Sequence, residues 1–350
     1  MKILILSHKF YPDIGGIEVN SEVLATEFHR LGMQVRLVTH TTFQGEERMN
    51  FPVIRNPSML DLIRQITWAD VVFENNPSLR LSWPALIFPK KKRVVAVRTF
   101  IRRTDGRIAP QDKLKRLSVA KANGIIAVSE AIKKSTHPKC VVIGNPYRKD
   151  LFRKMSAIHR NKAFAFVGRL VSDKGADMAI QLVRQLKQDE ALWQASGLPG
   201  TTGLKLTIIG DGPEKSPLEQ LVQRLNLTDL INFTGPLKGD ELVRTLNEHH
   251  FILVPSKWEE PFGNVALEGM ACGCIPIVSD GGGLPDAVGS AGITFKRNDQ
   301  HDFFLITKAL IEDEQKRNQL QESSSKHLAN HCPEVVAKRY LAVIKHALTQ

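Results

Sequence analysis

Residues 251 to 283 read FILVPSKWEEPFGNVALEGMACGCIPIVSDGGG. The apolar run Phe251 to Val254 is too short for a helix and stops at a proline, which predicts a strand buried on both faces. A polar loop follows, then a helical stretch opening near Gly263 and Asn264. A second apolar run, Pro276 to Val278, is closed by a serine, an aspartate and three glycines. Strand, helix, strand is the unit from which a parallel sheet covered by helices is built.

Outward from this unit the same alternation runs along the chain. Before residue 144 the expected strands are Ile3 to Leu6, Val35 to Thr39, Val71 to Phe73, Val94 to Val97, Gly124 to Val128 and Val141 to Ile143. The helix expected over Ile17 to Leu31 carries Val19, Val23, Leu24, Phe28 and Leu31 on one face. After residue 162 the pattern restarts with Ala163 to Val167, Leu206 to Ile209, Ile231 to Phe233, Phe251 to Val254, Pro276 to Val278 and Gly292 to Phe295. The charged stretch GNPYRKDLFRKMSAIHRNK, residues 144 to 162, parts the two series and reads as a linker. The fold class is therefore α/β, with two doubly wound Rossmann-like domains, residues 1–150 and 160–350. From Gln300 onward the pattern is helical only, and these last helices are expected to pack across one or both domains. A chain of 350 residues suits this division, because single cores stop growing near ~250 to 300 residues.

Composition, 42% hydrophobic and 24% charged, is that of a globular protein rather than a fibrous or disordered one. The opening MKILILS has too short an apolar run for a signal peptide, and nowhere do about 18 apolar residues follow one another. The expected location is the cytoplasm. Cys140, Cys272, Cys274 and Cys332 lack the paired spacing of a zinc site and read as reduced thiols.

The net charge of +12 is uneven. Residues 1 to 160 hold 28 basic against 13 acidic side chains, a balance of +15, whereas the remainder balances at −3. Residues 88 to 121 alone carry 12 basic and 2 acidic residues. Two readings stand: a solvated basic face, or a surface docking on an anionic membrane, such as the inner face of the plasma membrane. No helix-turn-helix, zinc-finger or aromatic RNA motif supports nucleic acid as a partner.

In open α/β sheets ligands bind beyond the carboxyl ends of the strands, so the post-strand loops hold the candidate residues. After the first strand, Gly15 and Gly16 precede a helix: either a tight turn, or a close backbone approach to an anion. After Val167 the loop GRLVSDKG places Gly168, Arg169 and Lys174 before a helix, and two cations beside a helix start suit a diphosphate. After Ile209, Gly210 and Gly212 form a lone G-x-G without the third glycine of a dinucleotide fingerprint, so nicotinamide chemistry is poorly supported. After Val254 come Glu260, Phe262, Gly263, Asn264, Val265 and Glu268. Carboxylates accept hydrogen bonds from vicinal hydroxyls, such as those of sugars and ribose, and a carboxylate inside VALEGMACG is costly without a partner. Gly281 to Gly283 are expected to line the same cleft. The chain contains no D-x-D, which argues for a site without metal, with fixed cations facing a leaving diphosphate.

Taken in order, GGIE, VSE, VGRLVSDKG, GDGP, FTGPL and the Glu-x7-Glu from Glu260 to Glu268 resemble glycosyltransferase family 4, over nearly the whole chain. That resemblance implies the two-domain GT-B fold with its central cleft. It also implies retaining transfer of a sugar from a nucleoside diphosphate sugar, UDP in preference to GDP, held by the C-terminal domain. The acceptor, a saccharide, falls to the N-terminal domain, and the basic surface of that half points to a membrane- or lipid-linked one. Arg169, Lys174 and Glu260 take the catalytic roles: the two cations grip the diphosphate, and Glu260 binds hydroxyls of the sugar. Glu268 takes the ribose hydroxyls. Gly15, Gly16, Gly168, Gly210, Leu237, Phe262 and the backbone of Gly263, Asn264 and Val265 complete the donor contacts. Many relatives have a histidine where this chain has Arg98 and Thr99; these two, with Arg102, are the acceptor-side candidates. Rival readings are a sugar-nucleotide epimerase or phosphorylase on the same fold, or a non-catalytic nucleotide-sugar-binding protein.

Overall fold

Ile3, Leu4, Ile5 and Leu6 are all buried in the first strand, β1 (Lys2–Leu6). Apolar side chains on both faces of a strand require cover on both sides, which is what a parallel sheet between helices supplies. The computed structural model describes residues 1–350 apart from 14, 89, 104–105, 195–197 and 200–202. Within it, β1 is joined by β2 (Gln34–Thr39), β3 (Val53–Arg55), β4 (Val71–Asn75), β5 (Lys92–Val97), β6 (Gly124–Ala127) and β7 (Val141–Val142). These form one sheet in the order β3-β2-β1-β4-β5-β6-β7. A second sheet contains β8 (Lys162–Val167), β9 (Leu206–Ile209), β10 (Ile231–Gly235), β11 (His249–Val254), β12 (Ile275–Ser279) and β13 (Ile293–Phe295), in the order β10-β9-β8-β11-β12-β13. Both are Rossmann-like parallel sheets, and each reverses its direction of growth once, at β1/β4 and at β8/β11. Every expected strand is present. The unexpected one, β3, is three half-buried residues at a sheet edge and offers no apolar run to read.

The chain divides into two compact units, Met1–Pro146 with His331–Gln350, and Tyr147–Asn330. This corrects two expectations. Residues 147 to 161 are docked rather than free: the Asn247 side chain accepts from Met155 N at 2.7 Å and donates to the Arg153 carbonyl at 3.0 Å. Arg160 likewise donates to the Cys272 carbonyl at 2.6 Å.

The second concerns the C-terminal helices, expected to belong to the second domain and to pack across one or both domains. The helices Gln300–Glu312 and Glu314–Asn330 do belong to unit 2, but Pro333–Thr349 returns to unit 1. Its buried face, Val336, Ala337, Tyr340, Leu341, Ile344 and Ala347, joins the core of the first sheet with Phe28, Phe73 and Val94. Tyr340 meets Phe73 edge to face, with ring centroids 5.7 Å apart. The two points where unit 1 begins and ends its interruption lie side by side, His331 Nδ1 being 2.8 Å from the Asn145 carbonyl oxygen.

Candidate active site

At β8/β11 the helices following neighbouring strands leave to opposite sides of the sheet, which opens a crevice at the carboxyl ends of those two strands. The loops that emerge there are Gly168–Gly175 and Pro255–Gly263, the two that carry Arg169, Lys174 and Glu260. Gly175 sets how closely they meet. Its φ is +73°, and a Cβ there would lie 1.9 Å from the Pro255 carbonyl oxygen. With no Cβ the loops touch: the Asp173 carbonyl accepts from Lys257 N at 2.8 Å, and Ser256 Oγ stands 3.2 Å from the same oxygen.

That seating brings together residues 86 positions apart in sequence. Lys174 Nζ donates to Glu260 Oε1 at 2.5 Å, and Ser256 Oγ donates to the same oxygen at 3.0 Å. Lys174 keeps 31% of its side-chain surface and Glu260 15%, so the pair is sheltered but reachable. The glycine triplet joins this cluster, as expected. Gly283 N donates to the Glu260 carbonyl at 2.7 Å, and a Cβ on Gly282 would stand 2.2 Å from that oxygen. Arg169 is exposed, five residues before Lys174, and has no ion-pair partner among the described residues.

Gly263, at φ +126°, turns the chain into the helix Asn264–Ala271. Its first turn offers the N–H groups of Asn264 and Val265 with the positive end of the helix dipole. Glu268 lies one turn further, on the face of Asn264. No hydrogen bond or ion pair to its carboxyl group is made among the described residues. Burial pushes that group up to about 7, against a smaller opposing pull from Arg148. A half-buried carboxyl with no donor among the described residues is complementary to a ligand that brings hydroxyls.

Of the other residues expected to contact a donor, Gly210, Leu237 and Phe262 belong to unit 2 and Gly15 and Gly16 to unit 1. Gly210 packs where a Cβ would lie 1.9 Å from the Gly168 carbonyl oxygen, so its lack of a side chain serves loop-on-loop contact. Leu237 is half-buried in the loop after β10, and Phe262 is buried. Gly15 and Gly16 lie in unit 1 at the start of the helix Gly16–Arg30, and Gly15 is extended with φ −165°.

Arg98 has a different task from the acceptor role expected of it. It is 4% exposed, and its guanidinium donates to Asn75 Oδ1, to Asn145 Oδ1 at 2.5 Å and to Tyr340 Oη at 3.2 Å. Those bonds tie the end of β5 to the last helix and consume the side chain. Thr99 Oγ1 lies 3.3 Å from the Asn76 side chain, and Arg102 stacks over the Phe100 ring at 4.7 Å.

Sequence reasoning missed Ser256, although it sits in the same post-strand loop as Glu260. It also missed a cavity of about 370 Å³ in unit 1, at the carboxyl ends of β1 and β4, lined by His8, Lys9, Arg80 and Lys115 among others. The signal was available: His8 and Lys9 follow the first strand directly, and Arg80 follows the fourth. Lys115 was counted only as part of a diffuse basic stretch.

The family model described as glycosyl transferases group 1 matches residues 147–327, just over half of the chain. The chain belongs to this family. An uncharacterized glycosyltransferase of Bacillus subtilis, YqgM, is 28% identical over 240 residues, which cover 65% of this chain. The match spans 62% of the Bacillus protein, under two thirds of its length. The phosphatidylinositol N-acetylglucosaminyltransferase gpi3 subunit of Schizosaccharomyces pombe is 23% identical over 345 residues, 88% of this chain and 72% of that one. Among solved structures, Anabaena Alr3699/HepE in complex with UDP is similar with a TM-score of 0.80 and 18% identity, over 99% of this chain and 100% of that one. The shared fold is the GT-B fold of this group.

Proposed function

We propose that this chain moves a sugar from a nucleoside diphosphate sugar to a saccharide acceptor, with retention at the anomeric carbon and without a metal. The observation that carries the reading is the Lys174–Glu260 contact at the β8/β11 crevice, flanked by the exposed Arg169 and the helix start at Asn264. As the bond from the anomeric carbon to the diphosphate oxygen breaks, the sugar gains oxocarbenium character and negative charge collects on the diphosphate. Arg169, Lys174 and the first-turn N–H groups stabilise that charge, and preorganised donors of this kind are each worth ~10² to 10³ in rate. Glu260 holds Lys174 in place before the donor arrives and offers its remaining acceptor capacity to hydroxyls of the sugar. Glu268 takes the ribose hydroxyls. UDP is the proposed nucleotide, since the Anabaena protein of the same fold was solved with UDP.

Arg169→Ala and Lys174→Ala test this. Each is expected to lower turnover by about two orders of magnitude and to weaken the rise in melting temperature that UDP gives the wild type, while the unliganded melting temperature holds. Undiminished turnover in either variant overturns the assignment.

Unit 1 is proposed to take the acceptor, presented on a lipid at the cytoplasmic face of an anionic membrane. Among the described residues no helix is long and apolar enough to cross a membrane. Trp83, Leu86 and Ile87, on and just past the helix Leu79–Leu86, and Leu114 and Leu117, on the helix Pro110–Ala120, are exposed close in sequence to Lys90 and Lys113. Apolar side chains among lysines suit the boundary of an anionic bilayer. The Schizosaccharomyces relative carries phosphatidylinositol in its name. Flotation is expected with vesicles containing phosphatidylglycerol and to fall at high salt; equal binding to neutral vesicles counts against it.

A further inference from the structure

The cavity at the β1/β4 end of unit 1 has a chemistry of its own. Its volume of about 370 Å³ is that of a small-molecule site. Lys9, Arg80 and Lys115 line it, and none of the three has an ion-pair partner among the described residues; Glu18 is the one carboxylate in the lining. The side-chain charges therefore leave a surplus of two positive charges.

Lys9, Arg80 and Lys115 line this one cavity together with His8. Its imidazole is held below its ordinary value first by burial and then by the charges of Arg80, Lys9 and Lys115. His40, whose ring meets His8 edge on at 5.4 Å, is lowered by burial and by His8 and Arg80. The backbone adds to the same field. Ile17 and Glu18 lie in the first turn of the helix Gly16–Arg30, Leu79 and Arg80 in the first turn of Leu79–Leu86, and Gln111 in the first turn of Pro110–Ala120. First-turn residues of three helices thus line one concavity, each near the positive end of a helix dipole.

The geometry points to an anion subsite here, in which Arg80, Lys115 and Lys9 seat a phosphoryl group carried by the acceptor. It rests on the acceptor side proposed above for unit 1. Arginine can grip two phosphoryl oxygens in a fork while the lysines act as point charges. The phosphoryl group belongs either to a lipid headgroup or to a soluble sugar or polyol phosphate, and the chemistry recognised is the same.

His8 serves as the reporter. The full-length protein, labelled at histidine and saturated with UDP so that the donor loops are filled, is titrated with pH by NMR. The His8 resonance is identified by its loss in His8→Gln. Two probes are used: glycerol 3-phosphate, and vesicles of phosphatidylglycerol in phosphatidylcholine. The expected result is an upward shift of the His8 midpoint with one or both probes, because a bound anion offsets the cations that hold it down. The shift is lost in Arg80→Gln/Lys115→Gln, whose melting response to UDP is unchanged. A response to glycerol 3-phosphate assigns a soluble ligand, and a response to vesicles alone assigns a headgroup. A midpoint that neither probe moves, or that moves equally in the double variant, overturns the proposal. Should UDP fail to stabilise the wild type while glycerol 3-phosphate still moves His8, the donor reading falls and the subsite stands.

Discussion

Glu268 holds its proton more tightly in the folded protein than in the unfolded chain, and this has a sign. Its folded value is raised from 4.5 to about 7 by burial, so its contribution to stability is full below about 4.5 and is lost as pH rises through about 7. Glu268→Gln, which keeps shape and removes the charge, is expected to flatten that loss, giving a variant that melts above the wild type at pH 8. Ribose hydroxyls favour the ionised carboxylate. UDP binding near pH 6.5 is therefore expected to release a proton, read by calorimetry in buffers of different ionisation enthalpy. Glu268→Gln abolishes the release; a wild type that binds UDP with no proton release removes Glu268 from the ribose. The sequence announced this residue because a carboxylate inside an apolar helix is a local contradiction, visible without a fold. Arg98 was misread for the opposite reason. Its partners include Tyr340, 242 residues away, and no local pattern marks a side chain spent on a helix that distant.

Among the elements, the loop after β8 shows how a backbone choice positions a charge. Gly175→Ala meets two penalties: a left-handed φ, about 1–2 kcal/mol, and overlap with the Pro255 carbonyl, about 1–3 kcal/mol. Gly32 has a similar φ of +82° with nothing within 4 Å of a Cβ, so Gly32→Ala should meet only the first. Denaturant unfolding of the two variants separates them. Gly175→Ala should also weaken UDP binding, since the Lys174–Glu260 contact depends on the loops touching, and equal losses in both variants would deny the close approach. Strands and helices were legible because each repeats a simple apolar pattern, and the post-strand loops because parallel strands all end at one edge. What the sequence withheld was pairing between loops: nothing in residues 168–175 says that they rest on 255–260. Edge strand β3, with no buried residue, was illegible for want of contrast.

For the molecule as a whole, the interruption of unit 1 by unit 2 makes its stability depend on its last residues. A chain ending at Asn330 loses the buried face of Pro333–Thr349 and the Tyr340 hydroxyl that Arg98 bonds. Unit 1 is expected to become protease-sensitive and aggregation-prone, while a fragment of about residues 147–330 resists digestion. Resistance of both units would show that the last helix is dispensable. The division was half legible: two alternating series gave two sheets, but a terminal amphipathic helix carries no mark of which sheet it covers.

The same arrangement sets an order on biosynthesis. On the ribosome, all of residues 147–330 are polymerised before the helix that closes unit 1 exists, so the part made first is the part finished last. Until then Phe73 and Val94 lack their cover on that face. A frameshift within codons 331–350 damages unit 1, most of it translated before unit 2, and spares the unit next to the lesion.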